Sequence, residues 1–261
     1  MADAADGLRI LVCVKRVPAP GARIALTADG RGIDTKNLGF TTSPHEECAV
    51  EEAIRLVERH GGSSTVLTLG PPEADEQLRY ALSVGADAAV LVATDGADPD
   101  PQATAGVLVT AIGSLEDVDG PFDLILFGNE SADAGGFQVG IRTARALGRP
   151  VVNGIKGIDV DAGSVTARRE SSDGLEVYRL ALPAVLGVKE GLNLPRYPTL
   201  PGRLRSKKVE VPRQEAHGAA GGLRTLAFSL PAEHVTDTTI LGTGADAAPA
   251  VVDLLDELGL L

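Results

Sequence analysis

Tryptophan is absent from the 261 residues, and aromatic side chains make up only 3% of them. Platforms on which a base or a flavin ring could stack are therefore few. The two cysteines, Cys13 and Cys48, are too few for a disulfide framework and lack metal-ligand spacing. The four histidines, His45, His60, His217 and His234, are scattered and form no H-x-x-x-H pair, so no metal site is expected. No uninterrupted apolar run approaches the roughly 20 residues of a membrane span. The opening residues, Met1 to Gly7, lack the basic start and apolar core of a secretory leader, and a cytoplasmic location is expected. Positive charge is also scarce. Lys and Arg total 24 against 36 Asp and Glu, a net charge of −12, which opposes a protein that coats nucleic acid. No phosphate-binding G-x-x-x-x-G-K-[ST] loop occurs.

What is present is a globular composition, 44% hydrophobic and 23% charged. Residues 10–15 (ILVCVK), 64–69, 88–93 and 122–127 are short, nearly continuous apolar runs, the mark of strands buried on both faces. Helical patterns separate them. Val50, Ala53, Ile54 and Val57 share one face of a helix whose start is marked by Ser43, Pro44 and Glu46, an S-x-x-E capping box with proline at the first position. Gly61 and Gly62 end it. Further helices are expected from near Pro72 to Gly85, from Pro101 to Leu115, and from Gly135 to Gly148, the last with Phe137, Ile141 and Ala144 on one side. Strands alternating with helices of this length argue for an α/β open parallel sheet.

Asp29-Gly30 between residues 23–26 and 33–37 signals a hairpin, and Asp173-Gly174 between 164–169 and 176–182 a second. One more strand is expected over 184–189. From Gly191 three prolines within a dozen residues oppose both helix and central strand. A basic run follows: Arg203, Arg205, Lys207, Lys208 and Arg213. The tail from Glu215 to Asp246 lacks periodicity, and only the last dozen residues look helical, so it is expected to lie against a partner. The chain thus divides into an α/β domain (1–190), a loop with a basic stretch (191–213) and a C-terminal arm (214–261).

The segment most informative for chemistry leaves a strand at Phe127 and runs Gly128, Asn129, Glu130, Ser131, Ala132, Asp133, Ala134, Gly135, Gly136, Phe137, Gln138, Val139. In an open α/β sheet, ligands bind at such strand ends. Its glycines let backbone amides approach an anion, and a helix start adds unpaired N–H groups. A capped glycine-rich turn without a ligand fits the spacing equally well. Asp133 would repel a nearby phosphate and is expected to orient the loop. His45, in a helix's first turn, is expected to be solvated, and Cys48 to pack as a small hydrophobe. Gly242 to Ala247 matches G-x-G-x-x-A, but the 14 residues that follow cannot complete a dinucleotide unit. No catalytic nucleophile stands out.

Taken together, VCVKRVP at 12–18, AVEEAIRL at 49–56, ALSVGAD at 81–87, Arg169-Glu170, Asp173-Gly174, LPAV at 182–185, NLPRYPTLP at 193–201 and SKK at 206–208 resemble the beta subunit of electron transfer flavoproteins. The resemblance implies an adenine-nucleotide-binding, Rossmann-like sheet with added hairpins. It implies pairing with an alpha subunit whose C-terminal domain holds most of a redox-active FAD. Electrons would then pass from dehydrogenases to a membrane-bound quinone oxidoreductase. It also implies a structural AMP at Cys13, Ser43, Pro44, His45, Glu46, Leu69 and the run Gly128 to Val139. A dehydrogenase-docking loop would include Leu194, Arg196, Tyr197, Leu200, Arg205 and Lys208, with Leu200 as its anchor between Pro198 and Pro201. Glu170 matches a glutamate that biases the mobile flavin domain. The sequence departs from the family pattern at Ser43, usually Asn, at Leu194, usually Glu, and at Arg205, usually Lys.

Two other readings stay open. A bifurcating member of the same family holds a second FAD in place of AMP, and Gly135, Gly136 and Val139-Gly140 are small enough not to exclude the larger ligand. A free-standing adenylate-binding enzyme or sensor would use the same sheet but leaves residues 191–213 unexplained.

Overall fold

The computed structural model describes residues 7–94, 99–217, 221–231 and 238–261; Met1 to Asp6 and His234 lie outside them. Eleven strands form in chain order: β1 (Leu8–Val14), β2 (Val17–Pro18), β3 (Phe40–Thr41), β4 (Gly62–Gly70), β5 (Ala88–Ala93), β6 (Leu124–Gly128), β7 (Val151–Asp161), β8 (Ser164–Ser171), β9 (Gly174–Ala181), β10 (Ala184–Val188) and β11 (Arg213–Glu215). Six helices accompany them: α1 (Pro44–His60), α2 (Asp75–Val84), α3 (Pro101–Asp119), α4 (Val139–Ala146), α5 (Leu200–Ser206) and α6 (Ala248–Glu257). Nine strands make one sheet in the order β11-β5-β4-β1-β6-β10-β7-β8-β9, parallel from β11 through β7 and antiparallel in the last two pairs. The expected α/β open parallel sheet with an added hairpin is therefore present.

The buried runs explain the layering. Along β1, Ile10, Val12 and Val14 point to the face covered by α1 and α2, while Leu11 and Cys13 point to the face covered by α3 and α4. Leu124 and Leu126 of β6 join the first face, Ile125 and Phe127 the second. Strands packed on both sides need apolar residues at every position, which is why these segments read as runs and not as alternations. The hairpin β8–β9 alternates instead, with Val165 and Ala167 buried and Leu175 and Val177 exposed, because only one of its faces is covered.

Several expectations are corrected. The fourth helix begins at Val139, not Gly135; residues 129–138 are turns, and Phe137 is half exposed at a left-handed φ of 54°. Phe137 therefore does not share a helix face with Ala144. The glycine pair releases the chain from helix before it reaches α4. Residues 23–37 do not form two strands, only the isolated bridge Leu26–Ile33 around the Asp29 turn, since the segment has no third strand to lie on. The region 191–213 contains a helix, α5. Its Pro201 sits in the first turn, where a missing N–H is harmless, and Thr199 caps it by accepting from the Gly202 N–H at 3.1 Å. The expected strand over 88–93 is present with the same bounds, the other strand ends move by one or two residues in either direction, and β2, β3, β7 and β11 are additional to the expected strands. Three residues suffice for β11 because β5 supplies the template and the Leu91 N–H donates to the Pro212 carbonyl at 3.0 Å.

The turn from α1 to β4 uses two glycines with φ of 76° and 108° at Gly61 and Gly62. A β-carbon on Gly62 would collide with the backbone of Leu8 in the adjoining strand. Gly62→Ala is expected to cost more than the ~1–2 kcal/mol of the left-handed region alone, because strain and collision add. Urea unfolding of the two proteins checks this.

Candidate functional site

The chain lays down β1, β4 and β5 on one side and then returns to place β6 beside β1 on the other. That reversal opens a crevice beyond the carboxyl ends of β1 and β6, the position at which open sheets bind ligands. Four segments converge on it. Lys15 follows β1, Leu69 lies one residue before the end of β4, α1 starts at Pro44, and residues 129–138 link β6 to α4.

The start of α1 is buried deeply. Ser43 is inaccessible, and the Glu46 carboxyl group is enclosed, with Oε2 accepting the Lys15 N–H at 3.0 Å and the Ser43 N–H at 3.4 Å. Burial outweighs these bonds and the Lys15 charge and pushes the Glu46 pKa up to about 8. The same burial, with Glu46 beside it, pushes the Cys13 thiol far above its ordinary range, so Cys13 is an inert packed group. Gly128 is required here. A β-carbon would lie 2.7 Å from Glu46 Cγ and 3.3 Å from both the Glu130 carbonyl and His45 Cβ.

His45 is not solvated as expected; its side chain is 15% exposed. Its Nδ1 accepts the Glu190 N–H at 2.6 Å, which leaves Nε2 3.6 Å from Glu130 Oε1. The loop after β6 is held from both ends. The Asn129 N–H donates to the Val188 carbonyl at 2.8 Å, and Asp133 receives the Lys15 ammonium at 2.6 Å. Burial opposes ionisation of Asp133, but Lys15, Ser131 and the Ala134 N–H together hold its carboxyl below the usual range. Asp133 thus orients the loop, as its position in the sequence indicates. The Gln138 side chain does not cap α4, so the first-turn amides of that helix are available to an acceptor.

These features fit an adenylate. The anion needs amide donors and no uncompensated carboxylate against it. The uncapped start of α4 supplies the first. Burial that favours neutral Glu46, with Asp133 paired to Lys15, goes part of the way to the second; the Glu130 carboxylate also lies in this loop, 3.6 Å from His45 Nε2. The structure gathers Cys13, Ser43 to Glu46, Leu69 and Gly128 to Val139 at one rim. Lys15 belongs there too, and its place directly after the first strand was the available signal.

The remaining singled-out residues lie elsewhere. Leu194, Tyr197 and Leu200 project from the segment over α1 and α2 with 84%, 88% and 72% exposure. Arg196 is bonded to Glu51 and Glu58, and Arg205 reaches back with Nη2 to the Leu82 and Ala86 carbonyls, although Arg205 as a whole is exposed, as is Lys208. Glu170 sits on β8 and receives Lys156 Nζ at 2.7 Å. That bond, with the charges of Lys156 and Lys189, lowers its pKa. Cys48 is packed as expected, its Sγ 3.6 Å from the Asn193 carbonyl. Among the described residues no cluster of ligating side chains could hold a metal, and no helix is long and apolar enough to cross a membrane.

Because the folded state raises the pKa of Glu46 above its ordinary 4.5, it favours the protonated form. The stabilisation from this neutral group is complete below pH 4.5 and is lost as pH rises toward about 8. Glu46→Gln is expected to flatten the decline in unfolding free energy between pH 5 and 8, a decline of at most ~1.4 kcal/mol per pH unit. Parallel slopes for both proteins would contradict it.

Comparison with known proteins gives a consistent result. A family model described as the electron transfer flavoprotein domain matches residues 32–218. An electron transfer flavoprotein subunit beta from Bacillus subtilis (strain 168) is 35% identical over 232 residues, 85% of this chain and 88% of that protein. One from Syntrophomonas wolfei is 37% identical over 225 residues, 86% of each chain. A protein named FixA from Azorhizobium caulinodans is 34% identical over 209 residues, 78% of this chain and 74% of its own. With a family model over residues 32–218 and relatives at 35% and 37% identity over most of their length, the chain belongs to the electron transfer flavoprotein family, among its beta subunits.

Proposed function

We propose that this chain is the beta subunit of a heterodimeric electron transfer flavoprotein that accepts electrons from dehydrogenases, such as acyl-CoA dehydrogenases, and delivers them to a quinone oxidoreductase. The observation that carries the reading is the family match over residues 32–218, supported by a rim where Gly128 and an α4 start without a side-chain cap leave backbone amides for an anion. FAD, held mostly by the alpha subunit, supplies the electron-carrying chemistry. This chain's part is to bind and position. The amides at the start of α4 hold the phosphate of a structural AMP, neutral Glu46 avoids repelling it, and Lys15 keeps Asp133 turned into the loop. Residues 191–213 dock the dehydrogenase through Leu194, Tyr197 and Leu200, and Lys208 lends positive charge beside them. Glu170 steadies the flavin domain. The arm from 214 to 261 packs on the alpha subunit, which covers Val251, Val252, Leu254 and Leu258 of the α6 region, exposed here by 39–62%. The assembly works in the cytoplasm.

The deciding experiment is co-expression with an alpha subunit, denaturation of the purified complex and identification of the released nucleotides by mass spectrometry. AMP and FAD in equal amounts are expected. Two FAD without AMP would replace the proposal by a bifurcating subunit, and a lone monomer that releases ATP or nothing would overturn it. Leu200→Ala is expected to slow electron acceptance at limiting carrier several-fold, since one buried leucine contact is worth about 1–2 kcal/mol, with FAD content unchanged. An unchanged rate would remove Leu200 from the docking surface.

A further inference from the structure

We propose that Arg79, Arg196 and Arg205 are positioning residues that hold the segment from Leu192 to Val209 in its docking shape and do not themselves touch the dehydrogenase, an inference that rests on the docking role given to this segment above. The resemblance assigns Arg196 and Arg205 to the partner; the geometry assigns them to the chain's own helices.

Arg196 spends most of its donors on its own chain, with its side chain about one-third exposed at 34%. Its backbone N–H and Nε donate to Glu51 Oε2 at 3.1 and 2.9 Å, and Nη2 donates to Glu51 Oε1 at 3.2 Å. Nη1 and Nη2 also reach Glu58 at 2.6 and 3.0 Å. Glu51 is 3% exposed and takes a second guanidinium, that of Arg55, at 2.5 Å. Drawing Arg196 away to a partner carboxylate would strip a buried glutamate of its fork-like bonds, which is strongly unfavourable.

The second clamp is reciprocal. Arg205 Nη2 donates to the Leu82 and Ala86 carbonyls at 2.5 and 2.9 Å, satisfying orphan acceptors at the end of α2. Arg79, on α2 and tied to Asp75 at 3.1 Å, donates back to the Ser206 and Val209 carbonyls at 2.5 and 2.6 Å. Between these bonds α5 approaches α2 so closely that a β-carbon on Gly202 would run into the Ser83 carbonyl. Asn193 extends the grip, donating to the Cys48 carbonyl and to Glu52, both at 3.0 Å, and Arg55 donates to the Leu194 carbonyl at 3.2 Å. These bonds tie the segment to α1 and α2, those to Glu51 and Glu52 being buried and those to Glu58 lying at the surface, while Leu194, Tyr197 and Leu200 point out. A segment fixed this way presents apolar contacts whose ordering cost has already been met in the free protein.

The test uses the complex with its alpha subunit and a purified acyl-CoA dehydrogenase that reduces the unmodified complex. Arg196→Gln, Arg196→Lys, Arg205→Met and Gly202→Ala are each compared with Leu200→Ala. Steady-state electron acceptance gives KM for the complex and kcat, and hydrogen exchange reads the amides of 192–209. The clamp variants are expected to raise KM about fivefold or more, a shift of one docking contact, with kcat and FAD content unchanged. Exchange over 192–209 is expected to quicken about tenfold while β6 and α3 stay protected. Arg196→Lys keeps the charge but not the fork, so it should behave like Arg196→Gln; normal KM in the lysine variant alone would show that Arg196 meets the partner as a charge and would overturn the proposal. Faster exchange without a change in KM would also overturn it. Leu200→Ala should raise KM with exchange unaltered. If it leaves KM unchanged, the docking role fails, and the exchange data still decide whether the arginines hold the segment.

Discussion

Everything in this molecule depends on β1 having a parallel neighbour on each side. Paired with β4 on one flank and β6 on the other, β1 loses access to water on both faces and both edges, and Ile10, Leu11 and Val12 are completely enclosed. That enclosure requires helices on both faces, so the chain must reverse direction along the sheet after β5. The reversal is what leaves a crevice at the ends of β1 and β6. The glycine at 128, the buried start of α1 and the loop to α4 are consequences of filling that crevice with backbone instead of side chains.

The polar groups near the crevice follow the same logic. Glu46 is buried because α1 begins beneath the rim, and its burial is what favours the neutral form. Asp133 is partly enclosed as well, yet it stays ionised because Lys15 lies 2.6 Å away. Two carboxyl groups within one site thus have opposite tendencies. The difference lies in whether a cation reaches the oxygen, and not in the residue type.

Much of this was legible in the sequence. Buried strands announce themselves as apolar runs, and the capping box at Ser43 to Glu46 marked the start of α1 to the residue. What escaped was structure that borrows its stability from elsewhere. β11 is three residues laid on β5, and β7 alternates too weakly to be told from a loop. α5 exists because Thr199 caps it, a local signal masked by the three prolines around it, and because Arg79 clips its end, a fact of tertiary placement. The bonding of Arg196 to its own chain was equally invisible, since a guanidinium beside exposed apolar residues reads as surface until Glu51 and Glu58 are brought under it. The rim residues could be gathered from the strand-to-helix connections, but the exchange of His45 from solvent to the Glu190 amide required the neighbouring strand end.

The edge strands set a scale for whatever assembles with the chain. The hairpin ends the sheet at β9 and the arm departs from β11 at the opposite edge, eight inter-strand gaps away. At about 4.8 Å per gap the two are separated by roughly 38 Å along the sheet. A body that touches both the Glu170 hairpin and the root of the arm must therefore reach as far as about a dozen fully extended residues, or as far as a small folded domain. The width of the sheet acts as a caliper, and a contact made by one turn or one side chain cannot satisfy it.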